Sequence, residues 1–320
     1  MIAMAQTTWA VGQPLVRTEM PTPTPRAHEV RVAVRAIGVN PVDWKMRNRG
    51  PLRMAARLIG PPPPVVPGVD FAGIVEAVGE RVIDIKIGDA VVGSTNFSRG
   101  QRGSYADTVV VGADQLCLLP PGFDLEQAAA LPVAGVTAWM CVVEIGRIAK
   151  GKRVAVLGAS GAVGQFCVQI AHNLRDAFVA GVCSTKNLEL VRERGAEVVI
   201  DYTAGNALEA LAAHGPFDLV VDCVGGYSAP ACRSLLGRGG RHVMVAGEGP
   251  ADFVQILVPP FKSRTVLGVA TRERLMVLVD AIDAGRLVVP ITKRMPLAQA
   301  EEALALSEGK RMTGKIVLLP

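Results

Sequence analysis

The segment Gly158-Ala159-Ser160-Gly161-Ala162-Val163-Gly164 is the most informative part of this sequence for the fold. It follows the apolar run Arg153-Val154-Ala155-Val156-Leu157, which is typical of a buried strand, and a helix is predicted from Val163 to Ala171. A dinucleotide binds at such a junction because its pyrophosphate needs a tight turn, a close backbone and helix N–H groups directed at it. Gly161 is expected to allow the close approach, and Gly164 to let the helix pack on the sheet. The predicted cofactor contacts of this turn are Ala159, Ser160, Gly161, Ala162 and Val163.

The glycine-rich turn is followed by alternating strands and helices. Strands are predicted at 178–182, 197–200, 219–222 and 241–245, and helices at 187–194, 208–213 and 229–236. This alternation predicts a parallel sheet covered on both faces, which is a doubly wound Rossmann domain of the α/β class. The residues before Pro120-Pro121-Gly122 are rich in strands, and the tail is expected to return to them. We therefore predict a β-rich domain at 1–121 and 265–320 and a Rossmann domain at 122–264.

The residues after the second predicted strand of this domain indicate which dinucleotide binds. NAD-specific sites usually place Asp or Glu there to bind the ribose 2′-hydroxyl. This chain has Ser184, Thr185 and Lys186, which offer hydrogen-bond donors and a positive charge to a 2′-phosphate. The sequence predicts NADPH rather than NADH; the alternative for Lys186 is an ordinary solvated lysine at a helix start. Tyr202 is a further candidate for the adenosine phosphate, or else a surface aromatic.

Composition limits the class of protein. The chain has 320 residues, a net charge of +5, a pI of about 9.0 and 4% aromatic residues. The basic residues are scattered without interleaved aromatics, so no nucleic-acid partner is expected, and no apolar run reaches the ~18 residues of a membrane span. The six cysteines form no CxxC pair, which is typical of small buried side chains in a reducing compartment. The N-terminus lacks a signal-peptide pattern, and we expect a cytoplasmic protein.

Several further segments occur in a telling order. Ile37-Gly38-Val39-Asn40-Pro41-Val42-Asp43-Trp44, Pro67-Gly68-Val69-Asp70-Phe71-Ala72-Gly73 and Leu131-Pro132-Val133-Ala134-Gly135-Val136-Thr137-Ala138 precede the glycine turn, and Gly314-Lys315 follows it. Together with the turn, this series resembles the medium-chain dehydrogenase/reductase superfamily, specifically its zinc-free quinone oxidoreductase branch. The resemblance covers nearly the whole chain.

The resemblance implies a GroES-like catalytic domain interrupted by the Rossmann domain, an active site in the cleft between them, and a homodimer. It gives Asn40 a role in orienting the nicotinamide or the substrate carbonyl. Asp43 and Trp44 are either catalytic candidates or scaffold, as a helix cap and a core residue. Thr137, together with the backbone of Ala246 and Gly247, is expected to fix the nicotinamide. The further cofactor contacts implied are Val133, Val224 and Lys315.

The resemblance also bears on zinc. Zinc-dependent relatives hold the catalytic metal at positions that correspond to Asn40, Val69 and Val133, and these residues cannot form a tetrahedral zinc site. The segment 94–107, where such relatives have a lobe of four cysteines, contains none. The histidines match no ligand spacing and are expected to be surface or locally bonded residues: His28, His172, His214 and His242. The sequence therefore predicts no metal.

Without zinc, the easiest acceptor is a conjugated one. Hydride added to a quinone or an α,β-unsaturated carbonyl gives an enolate whose charge is spread, so ordinary hydrogen-bond donors suffice. The sequence favours an NADPH-dependent reductase of such small molecules. Two alternatives stay open: a zinc-free, NADP-dependent alcohol or carbonyl dehydrogenase, and a non-enzymatic NADPH-binding sensor.

Overall fold

The chain folds as two units. The computed structural model describes residues 1–48, 50–245, 263–266, 268–309 and 312–320. The first unit comprises Met1–Val133, Val269–Asp283 and Ile291–Pro320, and the second comprises Ala134–Gly268 and Ala284–Pro290. The first unit extends past the predicted limit at residue 121 because the helix at Leu125–Ala129 packs against strands of its sheet.

The strands and helices are bounded as follows. The strands are β1 (Ile2–Ala5), β2 (Val16–Glu19), β3 (Glu29–Gly38), β4 (Asp70–Val78), β5 (Ala90–Ser94), β6 (Thr108–Gly112), β7 (Leu116–Leu118), β8 (Arg153–Leu157), β9 (Phe178–Cys183), β10 (Val198–Asp201), β11 (Phe217–Asp222), β12 (Leu236–Met244), β13 (Ser263–Thr265), β14 (Ile291–Pro296) and β15 (Lys315–Leu319). The helices are α1 (Pro41–Lys45), α2 (Pro51–Ile59), α3 (Leu125–Ala129), α4 (Pro132–Trp139), α5 (Ala162–Gln169), α6 (Leu188–Glu193), α7 (Ala207–Ala212), α8 (Ala229–Ser234), α9 (Arg272–Asp283) and α10 (Ala300–Glu308). Within the described ranges, no helix has the length and apolar character needed to cross a membrane.

The second unit contains the predicted parallel sheet. Its described strands lie in the order β10-β9-β8-β11-β12-β13, and every neighbouring pair is parallel. Numbered along the chain, this order is 3-2-1-4-5-6, the strand order of the doubly wound Rossmann fold. The order reverses between β8 and β11, and ligands of such sheets bind at the carboxyl ends of the strands beside that point. The prediction of a Rossmann sheet is confirmed.

The first unit is built on a mainly antiparallel sheet. Its described strands follow the order β14-β15-β3-β4-β5-β7, and β6 pairs with β3. Strand β15 pairs antiparallel with β3, with Val317 opposite Gly38, so the end of the chain joins the first sheet. The alternating burial of β3 and the fully buried Phe71 and Tyr105 build the core of this unit. This pairing positions Lys315 beside the end of β3.

Two elements near the C-terminus meet at Pro296. Helix α10 begins at Ala300, because Pro296 ends the edge strand β14 and a 3-10 turn, Leu297–Gln299, intervenes. Strand β14 was not predicted from the sequence, since only Met295 within it is buried and the alternation of a half-buried strand is missing. Five of the six cysteines are buried, as predicted, and Cys223 is half-buried.

Candidate active site

Asn40 holds the start of α1 and a buried polar network. It is 1% exposed and stands as the N-cap of α1, with Pro41 as the first helical residue. Its side-chain amide donates to the Gly38 carbonyl at 3.1 Å and to Asp70 Oδ2 at 2.9 Å. Its backbone N–H donates to Asp43 Oδ2 at 2.8 Å. Both donors of the Asn40 amide are therefore used within the protein.

Lys315 brings a positive charge into the same network. Its ammonium donates to Asn40 Oδ1 and lies 3.3 Å from Asp70 Oδ2, while Lys315 and Asp70 are 3% and 0% exposed. The Val133 N–H, at the start of α4, donates to both oxygens of Asp70 at 3.1 and 3.2 Å. An ion pair this deeply buried is held only when hydrogen bonds satisfy both partners. Among the described residues, the lysine has two partners for its three N–H donors.

Burial shifts the acid–base properties of the two carboxyl groups. Burial raises the pKa of Asp43 to about 7, and the hydrogen bonds from Asn40 and Tyr105 and the charge of Lys315 oppose this rise. Burial also raises the pKa of Asp70, against the opposing effects of Lys315, Asn40 and the Val133 N–H. The Tyr105 hydroxyl donates to Asp43 Oδ2 at 3.1 Å. The pKa of Asp43 thus lies near neutral pH. Around Asp70, hydrogen-bond donors from Lys315, Asn40 and Val133 oppose the rise of its pKa.

Asp43 and Trp44 have the scaffold geometry that the sequence allowed for. Asp43 caps α1 through the Asn40 N–H, and its Oδ1 has no hydrogen-bond partner in the described part of the chain. Trp44 is half-buried against the apolar core of the first unit, and its indole N–H is buried without a partner there. The structure thus accounts for both residues without a catalytic role, and a catalytic role stays a prediction.

The glycine turn has the steric signature of a nucleotide site. Gly158 has φ +78°, a left-handed conformation that favours glycine, and a Cβ there would lie 2.7 Å from Val224 Cγ2. A Cβ on Gly164 would overlap the Gly158 carbonyl and lie 2.9 Å from Ala159 Cα, so glycine is required for α5 to pack on the turn. A Cβ on Gly161 would meet only the Gly158 carbonyl, at 3.5 Å. The fold therefore does not need glycine at 161, and the open space at the N-terminus of α5 suits a close ligand.

Polar residues meet at the carboxyl ends of β9 and β10. The Tyr202 N–H donates to the Cys183 carbonyl at 3.1 Å, which places Tyr202 beside Ser184, and Tyr202 is 53% exposed. Lys186 is exposed and forms no ion pair with a described residue. Asp201 lies in the same place, because Thr185 Oγ1 donates to its carboxylate at 2.6 Å. The neighbouring strand β10 thus supplies a carboxylate that residues 184–186 lack, and the bond to Asp201 occupies the Thr185 hydroxyl.

The remaining predicted site residues lie in different parts of the chain. Thr137 is buried at 4% exposure on α4, one helical turn after Val133, and belongs to the second unit. Val224 is 47% exposed next to Gly158, and its N–H donates to Asp222 Oδ1 at 2.9 Å. Ala246 and Gly247 lie outside the described residues.

Comparison with known proteins identifies the family of this chain. Two family models match the chain: the alcohol dehydrogenase GroES-like domain over residues 26–121 and the zinc-binding dehydrogenase over residues 194–318. A chloroplast envelope quinone oxidoreductase homolog of Arabidopsis thaliana is 30% identical over 317 residues, which is 96% of this chain and 94% of the relative. The mitochondrial NAD(P)H oxidoreductase RTN4IP1 of Bos taurus is 31% identical over 327 residues, which cover 91% of this chain and 81% of the relative. The solved quinone oxidoreductase of Coxiella burnetii has a TM-score of 0.90 and 26% identity over 100% of this chain and 99% of its own.

The chain belongs to the medium-chain dehydrogenase/reductase superfamily. The resemblance inferred from the motifs is confirmed, and so is the fold class, a GroES-like domain with a Rossmann-like parallel sheet. The relatives are consistent with a quinone oxidoreductase-like branch. The superfamily member described here is accordingly an oxidoreductase from an NAD(P)H-dependent family.

The donor set does not fit the catalytic zinc of this superfamily. Val69 and Val133 belong to one apolar cluster with Met46 and Ala56, and neither side chain has a donor atom. The Asn40 side-chain oxygen is bonded to Lys315, and Asp70 is surrounded by Lys315, Asn40 and the Val133 N–H. A zinc ion would need several N, S or O ligands free to converge on it. This chain offers no such set at these positions.

Tyr105 and Asp201 belong to the site but were not predicted from the sequence. Tyr105 contacts Asp43 across 62 positions of the sequence, and no local pattern around it indicates this contact. Asp201 ends β10, and strand alternation places it beside the end of β9 once the sheet order is known. The prediction that His242 is a surface or locally bonded residue is wrong. His242 is fully buried, because it lies in the interior strand β12, and it is bonded to Ser263, which is 21 positions away.

Proposed function

We propose that this protein transfers hydride from NADPH to quinones or α,β-unsaturated carbonyl compounds, with no zinc at the hydride centre. The observation that carries the proposal is the buried group of Asn40, Asp70, Lys315 and the Val133 N–H. Asn40 and Val133 stand at positions that correspond to zinc ligands in related enzymes, and the group as a whole offers hydrogen-bond donors and a cation instead. When bound, NADPH supplies the hydride.

Lys315 has the clearest part in this proposal. Its ammonium is fixed by Asn40 Oδ1 and Asp70 Oδ2, so its direction is set before any ligand arrives. Its third N–H is available for an oxygen of the cofactor or for the charge that develops on the acceptor. A fixed donor in a buried place costs little reorganisation during the reaction.

Asn40 has a narrower role than the sequence suggested. Because its two N–H donors are bonded to Gly38 and Asp70, it has no donor left for a substrate carbonyl. Its Oδ1, already bonded to Lys315, keeps one lone pair. We therefore assign Asn40 the orientation of Lys315 and the acceptance of a ligand N–H. We also propose that Val133 and Thr137, which share one face of α4, line the nicotinamide end.

NADPH is preferred over NADH in this proposal because of the charge at the adenosine end. Lys186 and the Ser184 hydroxyl would bind the 2′-phosphate, with Tyr202 beside them. Asp201 opposes this preference, because the hydrogen bonds from Thr185 and Thr203 lower its pKa and keep it ionised, although the same bonds occupy its oxygens. Among the described residues of the adenosine end, Lys186 has no ion pair, and the Asp201 carboxylate is already bonded to hydroxyl groups.

The variant Lys186→Glu tests the cofactor preference. We expect KM for NADPH to rise by about 10-fold or more, because one charge-assisted hydrogen bond is replaced by repulsion, while KM for NADH changes little. The matched control is Lys150→Glu, which alters an exposed lysine paired with Asp176. Equal effects on NADPH and NADH would contradict the assignment.

A panel of acceptors tests the reaction itself. We expect NADPH oxidation with a p-quinone and with an α,β-unsaturated ketone, and no reduction of NADP+ by simple secondary alcohols. Turnover of the alcohols alone would identify an alcohol dehydrogenase. Tight NADPH binding without turnover of any acceptor would identify a binding protein. The cytoplasmic location and the homodimer stay predictions, and two of the named relatives are described as a chloroplast envelope and a mitochondrial protein.

A further inference from the structure

A buried cluster in the second unit offers three ligand types that metals use. Asp222 ends β11, His242 lies in β12, and Cys232 belongs to α8. Val220 pairs with His242, so Asp222, two residues after Val220, points to the same face of the sheet as His242. Helix α8 packs on these two strands and presents Cys232 to that face. The three residues come from three separate elements that the fold brings together.

The atoms of this cluster lie close enough to share an ion. One carboxylate oxygen of Asp222, the Cys232 Sγ and a ring nitrogen of His242 lie within 4.8 Å of one another. All three residues are 0% exposed. Around a tetrahedral zinc ion, bond lengths of 2.0–2.3 Å separate the ligand atoms by about 3.3–3.8 Å, so sub-ångström shifts suffice.

His242 gives independent evidence for a missing ligand. Its Nδ1 is hydrogen-bonded to Ser263 Oγ at 3.0 Å, while its Nε2 is buried with no hydrogen-bond partner in the described part of the chain. A buried polar atom without a partner is costly, and native proteins rarely leave one. Metal-bound histidines characteristically have one nitrogen on the metal and the other in a hydrogen bond, which is what the Ser263 contact provides.

The charges are compatible with a divalent cation. Asp222 and a Cys232 thiolate would contribute two negative charges, and a neutral His242 ring would add none. These two negative charges neutralise one divalent cation in the protein interior, where burying an unpaired charge has a large free-energy cost. Arg233 lies at the edge of the cluster, half-buried, and donates to Ser263 Oγ at 3.2 Å. Its charge is directed to that hydroxyl.

We propose that Asp222, Cys232 and His242 form a binding site for a zinc-type divalent cation in the nucleotide-binding unit. This site is separate from the positions of the superfamily's zinc ions and from the proposed hydride centre. Asp222 Oδ1 also accepts the N–H groups of Val224 and Gly225 at 2.9 and 3.0 Å. A bound ion would therefore stiffen the connection after β11, which contacts Gly158 of the cofactor turn. Its role would be structural.

Metal titration of the untagged full chain tests the site. After metal depletion, we expect Zn²⁺ to bind with a stoichiometry of one and to raise Tm by about 3 °C or more. Co²⁺ in place of Zn²⁺ should give the near-ultraviolet absorption band of a cobalt–thiolate bond. Cys232→Ala should remove this band and weaken Zn²⁺ binding by at least about 10-fold, whereas Cys117→Ala, another buried cysteine, should retain both.

If Cys232→Ala fails to fold, the cobalt spectrum of the wild type still tests the proposal, because the absorption band itself shows whether a thiolate binds the metal. Absence of saturable binding to the wild type, or a cobalt complex without the thiolate band, would overturn it. So would equal binding by wild type and folded Cys232→Ala. His172→Ala removes an exposed histidine paired with Glu197 and separates surface binding from the buried site. Proton-coupled hydride transfer is not measured in any of these experiments, so their failure leaves the proposed function standing.

Discussion

The Lys315 ammonium lies 3.3 Å from the Asp70 carboxylate in the interior of the first unit, with Lys315 and Asp70 only 3% and 0% exposed. This pair joins the last strand of the chain, β15, to the start of β4. Because both charges are out of water, each depends on the other and on Asn40 and the Val133 N–H for solvation. The geometry makes the C-terminal strand part of the candidate active site.

Loss of the lysine charge should therefore destabilise the fold. We expect Lys315→Met to lower the free energy of unfolding by about 3–5 kcal/mol, because the Asp70 carboxylate is left buried and uncompensated. Urea denaturation measures this change. The double variant Asp70→Asn/Lys315→Met should recover part of the loss. Lys150→Met, which breaks an exposed pair with Asp176, should cost about 0–1 kcal/mol. A cost for Lys315→Met as small as that of the control would contradict the account.

Asp43 should make stability depend on pH near neutrality. Its pKa is about 7 in the folded chain and about 4 when unfolded, so the folded state binds more protons between these values. Stability from this group is full below pH ~4 and decreases by roughly 1.4 kcal/mol per pH unit until about pH 7. Asp43→Asn should remove this slope. The measurement is the difference in unfolding free energy between wild type and variant across pH 4–8.

Asp114 provides a control of opposite sign for this pH dependence. Its hydrogen bond and ion pair with Arg99 lower its pKa, so its contribution is present above the unfolded pKa and is lost as the pH falls. The difference between wild type and Asp114→Asn should therefore decrease toward acid pH. A flat difference curve for Asp43→Asn between pH 4 and 7 would refute the assignment to Asp43.

Gly161→Ala should separate folding from cofactor binding. The added methyl meets only the Gly158 carbonyl at 3.5 Å, so the unfolding free energy should change by less than about 1 kcal/mol. NADPH binding should weaken by about 10-fold or more, because the methyl occupies the space of the pyrophosphate. Fluorescence titration with NADPH measures this. Gly309→Ala, whose methyl would lie 3.5 Å from the Leu306 carbonyl, should bind NADPH normally. Unchanged NADPH affinity in Gly161→Ala would place the pyrophosphate elsewhere.

Gly164→Ala should show the reverse behaviour. Its methyl would overlap the Gly158 carbonyl and stand 2.9 Å from Ala159 Cα, and backbone atoms cannot move aside as a flexible side chain does. We expect a loss of about 1–3 kcal/mol in unfolding free energy from this overpacking. Thermal unfolding without cofactor measures it. A variant as stable as Gly161→Ala would mean that α5 does not pack on the turn as described.

The sequence was sufficient for the Rossmann sheet and its glycine turn. Each strand there is a continuous apolar run, each helix follows at a short interval, and Gly161 and Gly164 have the spacing of a nucleotide turn whose first position is Ala159. Periodicity and turn chemistry are local properties, so one sequence reveals them. The motifs around Asn40, Asp70 and Val133 were recognised individually for the same reason.

The contacts between these motifs could not be predicted in the same way. Lys315 and Asn40 are 275 positions apart, and only the pairing of β15 with β3 brings them together. The cluster of Asp222, Cys232 and His242 depends on strand order and on the position of α8. The edge strand β14 lacks the alternation of buried and exposed residues by which a strand is predicted from sequence. Tertiary pairing, rather than local preference, determines each of these features.

Transfer of deuterium from the cofactor distinguishes zinc-free hydride transfer by NADPH from every alternative raised above. Metal-depleted protein is incubated with NADPH carrying deuterium at the transferable C4 position and an α,β-unsaturated ketone, and the product is analysed by mass spectrometry. Wild type and Cys232→Ala are compared, so that any effect of the proposed buried metal site is separated from the hydride centre. The account predicts one deuterium at the β-carbon of the product in both proteins without added zinc. Product without deuterium, or incorporation that requires zinc in both proteins, would contradict it.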